Sequence, residues 1–209
     1  LGGDDFGLTP NAVIGKMSRL KNELADVESY RRTSNSEDPA DALFIEVWDR
    51  YQRQLQRSQA FDFDDLIGQT VYLFRAFPEV AASYQARFRH VLVDEYQDTN
   101  RVQFRIAELL AGDQHNICVV GDIDQNIYSW RGADIKNVLQ FERHFRDATT
   151  ILLEENYRST QTIIAASNDI IKKNQNRVEK TVFTNNLEGE KLTLYAGMTG
   201  YDEAEYVAI

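Results

Sequence analysis

The chain has 209 residues and a formal net charge of −10, with 33 Asp and Glu against 23 Lys and Arg. At 43% hydrophobic residues it can fill one large core or two smaller ones, which excludes overall disorder. The acidic balance argues against a protein that coats nucleic acid indiscriminately, while leaving room for a groove built from a few local contacts. No apolar run approaches the ~20 residues that span a bilayer. The start, Leu1-Gly2-Gly3-Asp4-Asp5, lacks the basic and apolar regions of a secretory signal. The single cysteine, Cys118, cannot form an internal disulfide, and this predicts a reducing, cytoplasmic setting.

Taken in order, residues 12–29 predict a helix, because Val13, Met17, Leu20, Leu24 and Val27 recur at helical spacing. Residues 33–41 are polar and contain Pro39, which predicts a loop. A second helix follows, with Phe44, Val47, Trp48, Tyr51 and Leu55 on one side, and the two helices read as a small unit of their own. Asp62 is placed to cap a third helix, with Asp64 and Asp65 in its first turn. Its apolar face is Leu66, Ile67, Phe74 and Phe77, and Pro78 helps to end it.

The rhythm then changes. Residues 89–93 predict a strand, and residues 100–110 a helix with Asn100 and Gln103 at capping-box spacing. Residues 117–120 predict a second strand, 135–145 a helix, 151–153 a third strand, 160–173 a helix, 192–195 a fourth strand and 201–209 a final helix. Strands alternating with helices imply βαβ units and a parallel sheet. The run Val-Leu-Val before Asp94 shows no alternation, which suits a strand buried on both faces. Asp94 and Glu95 then fall at the carboxyl end of that strand, the edge where open α/β sheets bind ligands. One carboxylate there can hold a divalent cation while the other orients or deprotonates a water. The competing reading is an acidic loop after a strand. Gln97 and Asp98 follow at the first strand end, and the two later ends carry residues 121–132 and 154–160, so carboxylates, amides, arginines and exposed aromatics would converge on one edge.

Three stretches carry a resemblance: Val-Asp-Glu-Tyr-Gln-Asp-Thr-Asn (93–100), Val-Val-Gly-Asp-Ile-Asp-Gln-Asn-Ile-Tyr-Ser-Trp-Arg-Gly-Ala-Asp (119–134) and Leu-Glu-Glu-Asn-Tyr-Arg-Ser-Thr (153–160). Together they resemble superfamily 1 DNA helicases of the UvrD/PcrA/Rep group, as do residues 61–66 and the Leu20-Lys21-Asn22-Glu23-Leu24 helix. Three long motifs in the right order are far more specific than a lone glycine-rich match. The implied fold is α/β, a partial parallel-sheet RecA-like (P-loop NTPase) motor core with a small all-helical inserted subdomain. The resemblance divides the chain into residues 1–60 as that subdomain, 61–148 as the latter part of a first motor domain, and 149–209 as the start of a second.

It also implies roles. Asp94 helps to hold Mg²⁺ and Glu95 activates the attacking water, which matches the needs of phosphoryl transfer. Gln125 senses the γ-phosphate of ATP, since an amide bonds both water and phosphate. Arg158 contacts that phosphate through its planar, permanently charged fork. Tyr157 stacks on the adenine, with core packing as the alternative. Trp130, Tyr128 and Phe63 line a single-stranded DNA path, where each base offers a π-face for stacking. Arg131 links the DNA and phosphate sites. The expected partners are single-stranded DNA and its junctions with duplex, and the implied direction of movement is 3′ to 5′. Two further readings stay open: a helicase–nuclease subunit related to the same motors, and a truncated binding module.

Other features point nowhere. Gly15-Lys16-Met17-Ser18 has methionine where a phosphate loop needs Ser or Thr, so Lys16 reads as part of a solvated face. His90, His115 and His144 are scattered and make no zinc spacing. The family's glycine-rich phosphate loop is not among these residues. The start without methionine and the end inside a helix predict an internal fragment. Alone, such a fragment is expected to hydrolyse ATP poorly.

Overall fold

Thr9 opens the first helix by accepting a hydrogen bond from Ala12 N on its hydroxyl, with Pro10 at the position where a missing N–H costs nothing. The computed structural model describes residues 8–35, 37–174 and 179–208, the side chain of Arg131 excepted. The chain forms two units, one running to Ala148 and the other starting at Thr149.

In the first unit, α1 (Pro10–Asn22) stops where Leu24 turns left-handed at φ 61° and Ala25 N returns to Leu20 O. Asp26 then caps α2 (Val27–Thr33) in a reciprocal box with Ser29. One long helix over 12–29 is thus replaced by two, because Asp26 and Ser29 offer the backbone a fresh N-terminus. Pro39 does not sit in a loop; it is the first residue of α3 (Pro39–Arg57), capped by Asp38. Val13, Met17, Phe44 and Trp48 form the core beneath these helices, with Tyr30 edge-on to Phe44. Lys16 is not simply solvated. It lies 4.3 Å over the Phe44 ring and 3.0 Å from Asp41.

Asp62 caps α4 (Phe63–Ala76) as expected, accepting from Asp65 N at 2.8 Å. Its buried face is Asp65, Gly68, Val71 and Phe74, whereas Leu66 and Phe77 are exposed. On this face Lys21 of α1 reaches Asp62 and Asp65, so the acidic first turn lies against α1. Pro78 opens a further helix, α5 (Pro78–Arg87).

Strands β1 (Val91–Val93) and β2 (Ile117–Val119) pair in parallel, Leu92 opposite Cys118, with α6 (Arg101–Ala111) between them in the chain. The capping box of Asn100 and Gln103 forms. Val91, Val93, Ile117 and Val119 pack on Tyr96, Phe104, Ala111 and Phe145. Leu92 on the other face is 77% exposed, so β1 is covered on one face, not two. The helix expected over 135–145 breaks at Gln140 into α7 (Lys136–Leu139) and α8 (Phe141–His144). Asn137 of α7 is buried and donates to Thr99 O at 3.0 Å, tying α7 to the turn that follows β1.

In the second unit, α9 (Gln161–Ile171) and α10 (Gly200–Ala208) form close to their expected bounds. Residues 151–153 and 192–195 are not strands. Among the described residues, no ladder pairs with them, and apolar composition alone cannot satisfy a strand's N–H and C=O groups. Among the described residues of this unit, a parallel bridge of Glu155 with Phe183 stands in place of the sheet.

Candidate active site at the carboxyl end of the paired strands

The end of β1 is a tight turn. Glu95 adopts φ 49°, ψ 43°, a left-handed conformation that costs a non-glycine residue roughly 1–2 kcal/mol. Such strain persists only where the surroundings enforce it. Here Tyr96 N donates to Val120 O at 2.9 Å and Val120 N to Val93 O at 2.8 Å. The Tyr96 ring is fully buried, edge-on to Phe141, and burial pushes its phenol well above the usual range. The carboxylates themselves face outward. Asp94 and Glu95 are exposed, and Asp94 Oδ1 accepts from Glu95 N at 2.9 Å.

Behind them sits Gln97, only 1% exposed. Its Nε2 donates to Glu95 Oε2 at 2.8 Å, and its Oε1 accepts from Asp122 N at 2.8 Å. Asn126 Nδ2 donates to the Gln97 main-chain carbonyl at 2.5 Å. Asp122 Oδ2 in turn accepts from Gln125 Nε2 at 2.8 Å. The loop after β2 comes this close because residue 121 is glycine. A Cβ there would lie 2.7 Å from Gln97 Oε1 and 3.2 Å from the Tyr96 and Gln97 nitrogens. Glu95, Gln97, Asp122 and Gln125 therefore form one chain of hydrogen bonds across the two strand ends. Sequence reasoning set Gln97 and Asp122 at the edge but gave them no role. The visible signal was an amide two residues beyond an acid pair.

Among the described residues, no three His, Cys, Asp or Glu side chains gather as a metal cage. Mg²⁺ needs no such cage, since it keeps waters and uses one or two carboxylates beside substrate phosphates. An exposed Asp94 at a strand end fits that donor set.

Further along, the turn Ser129–Arg131 ends at Gly132, whose φ of 88° suits glycine. Trp130 is 73% exposed, and Tyr128 lies beside it with ring centroids 6.3 Å apart. Trp130 borders a groove of about 710 Å³ whose walls include Ser18, Arg19 and Asn22 of α1, Arg101 at the start of α6, and Asp134. Arg19 and Arg101 were not singled out from sequence, where two scattered arginines carry no pattern. Phe63, 91% exposed at the start of α4, is not among the residues lining this groove. The side chain of Arg131 lies outside the described residues.

In the second unit, Tyr157 and Arg158 occupy an exposed turn. Asn156 Oδ1 accepts from Arg158 N at 3.0 Å and Ser159 N at 2.7 Å. Asn186 Nδ2 donates to the carbonyls of Tyr157 and Ser159 at 3.2 and 3.0 Å. Backbone is fixed and side chains are left outward. Tyr157, 79% exposed, donates its hydroxyl to Glu155 Oε2 at 2.8 Å, and that bond raises its pKa.

Comparison with known proteins adds a frame to this geometry. The family model for the UvrD/REP helicase N-terminal domain matches residues 7–146, and that for the UvrD-like helicase C-terminal domain matches residues 151–209. The chain is 49% identical over 207 residues to the ATP-dependent DNA helicase PcrA of Staphylococcus aureus, and 49% identical over 204 residues to that of Staphylococcus epidermidis. Each match takes in 98% of this chain but 28% of the relative's length. The matched domains imply a RecA-like fold, of which the parallel pair β1–β2 and its helices are the part seen in the first unit. With a family model covering well over half of its length, this chain belongs to the UvrD/REP helicase family.

Proposed function

We propose that this chain is part of an ATP-dependent DNA helicase that moves 3′ to 5′ on single-stranded DNA and opens duplex at junctions. The observation that carries the reading is the hydrogen-bond chain from Glu95 to Gln125 at the carboxyl end of the parallel strands. It joins a carboxylate suited to take a proton from water to an amide suited to sense a phosphate.

Glu95 orients the attacking water and accepts its proton. Its outward carboxylate, held by Gln97, is free of any ion pair among the described residues. Asp94 holds Mg²⁺, which neutralises phosphate charge when bound. Gln125 reports the γ-phosphate to its loop, Arg158 stabilises the charge that develops on it, and Tyr157 offers a face to the adenine. Trp130 and Tyr128 grip bases by stacking, Phe63 extends the path, and Arg131 links it to the phosphate site. Arg19 and Arg101 supply positive charge along the groove beside Trp130.

Residues 1–60 serve as a helical subdomain seated on the motor core through Lys21, 61–148 as the latter part of a first motor domain, and 149–209 as the start of a second. The setting is the cytoplasm. On their own, the 209 residues turn ATP over slowly, since no Gly-x-x-x-x-Gly-Lys-Ser/Thr run occurs among them.

The test is strand displacement by the complete helicase that carries these residues. A duplex with a 3′ single-stranded tail is unwound with ATP and Mg²⁺, and one with only a 5′ tail is not. Equal unwinding of both, or unwinding without ATP, defeats the proposal.

A further inference from the structure

We infer that Gln97 is a positioning residue for hydrolysis, holding the Glu95 carboxylate in place and coupling it to the loop that carries Gln125. The inference rests on the reading of Glu95 as the base.

The orientation of the Gln97 amide follows from its partners. Asp122 N–H can only donate, so the group 2.8 Å from it is the Gln97 carbonyl oxygen. The amide nitrogen must then face Glu95 Oε2, at 2.8 Å. Only a side chain with both a donor and an acceptor completes this bridge. At 1% exposure, water does not substitute for it. One Glu95 oxygen is thereby committed to an N–H, which fixes the carboxylate plane and leaves Oε1 as the outward face for a proton.

The coupling runs through the backbone. Asp122 receives the Gln125 side chain on Oδ2 while its own N–H bonds Gln97, so a shift of Gln125 bears on Gln97. Asn126, next to Gln125, donates to the Gln97 main-chain carbonyl, giving the loop a second hold on the same residue. Gly121 permits this closeness, since any side chain there meets the Gln97 oxygen and two backbone nitrogens. A residue that merely filled space would need neither the paired donor and acceptor nor a glycine opposite.

The test uses two variants of the complete helicase, with DNA-stimulated ATP turnover followed across pH. In Gln97→Glu the introduced carboxylate still accepts from Asp122 N–H but cannot donate to Glu95. Turnover relative to wild type falls at least about tenfold at about pH 8, with KM for ATP changed less than about threefold. The ratio recovers as pH drops toward about 6, because like charge beside Glu95 raises the introduced group's pKa and its protonated form donates again. Gln97→His gives the opposite slope. Its neutral ring both donates and accepts, so turnover is partly retained at about pH 8 and lost as the ring protonates below about pH 6.5.

Turnover within about twofold of wild type in Gln97→Glu at about pH 8, or losses in both variants that do not change with pH, overturn the inference. If Gln97→Glu does not fold, the slope of Gln97→His decides. If neither folds, Gln97 is a folding residue and the inference fails. Normal turnover in Glu95→Gln would instead defeat the underlying assignment of the base. An inactive Glu95→Gln beside Gln97 variants without a pH slope defeats this inference alone.

Discussion

Two acidic clusters in the first unit are treated in opposite ways. At the seam of α1 and α4, Asp65 is 4% exposed and accepts from Lys21 Nζ at 2.9 Å and Gln52 Nε2 at 3.1 Å. Asp62 accepts from Lys21 at 2.6 Å and Tyr51 at 3.1 Å, and Asp64 from Asn22 Nδ2 at 2.9 Å. At the strand ends, Asp94 and Glu95 are exposed and bonded to N–H groups, with no ion pair among the described residues. A buried carboxylate needs a cation to offset its lost hydration. A carboxylate meant to bind a metal or take a proton must keep its charge uncommitted. Pairing, more than acidity, separates the two clusters.

The largest effect expected from that contrast is at Glu95. In the complete helicase, Glu95→Gln lowers kcat by about 10²–10⁴-fold while ATP and DNA binding persist, since the amide keeps the shape but cannot take the proton. Steady-state turnover beside nucleotide-binding measurements checks it, and unchanged kcat removes Glu95 from the role.

The seam should respond in stability, not in chemistry. Lys21→Met leaves the buried Asp65 and the half-buried Asp62 without their cation and costs about 3–5 kcal/mol, read as a shift in the urea midpoint. Asp94→Asn, at an exposed position with no cation to strand, changes stability by no more than about 0.5 kcal/mol. Should the two substitutions cost the same, the division between the clusters is wrong.

How much of this was readable in advance follows from sequence distance. Asp62 as a helix cap and Asn100 with Gln103 as a capping box are local, because each partner is three residues away. Asp94 and Glu95 were placed by the apolar run before them. Lys21 with Asp65 was not readable, since its partners lie 44 residues apart and meet only when α1 crosses α4. The role of Gln97 depends on β1 pairing with β2, which brings Asp122 to it over 25 residues. The apolar runs at 151–153 and 192–195 have strand composition, yet composition cannot supply a ladder. Pro39 and Pro78 were read as breakers, although proline also starts helices, and both do so here.

A smaller effect tests the groove. Trp130→Ala weakens single-stranded DNA binding by about 1–3 kcal/mol, with ATP affinity unchanged, because one stacking face is lost and no phosphate contact is touched. Fluorescence anisotropy on a labelled oligonucleotide reads it, and unchanged DNA affinity removes Trp130 from the path.

The smallest effect is in acid, and it separates pairing from burial at the seam. For Asp62, burial works to raise the pKa, but the hydrogen bond from Lys21, helped by those from Asp65 N–H and Tyr51, holds it below the ordinary 3.8. A carboxylate with a depressed folded pKa stabilises the fold fully above its unfolded value and less as pH falls through the folded one. The Asp62 contribution is therefore present above pH 3.8 and declines below it. Lys21→Met removes the main lowering interaction, while the Asp65 N–H and Tyr51 bonds still oppose burial, so the depression of the Asp62 pKa shrinks. The variant then has less Asp62 stabilisation to lose than the wild type as pH falls. Denaturation midpoints of the wild type and Lys21→Met, compared between about pH 6 and about pH 3, should converge in acid. A gap that stays constant over that range means the seam is held by packing of the Lys21 stem, not by its charge.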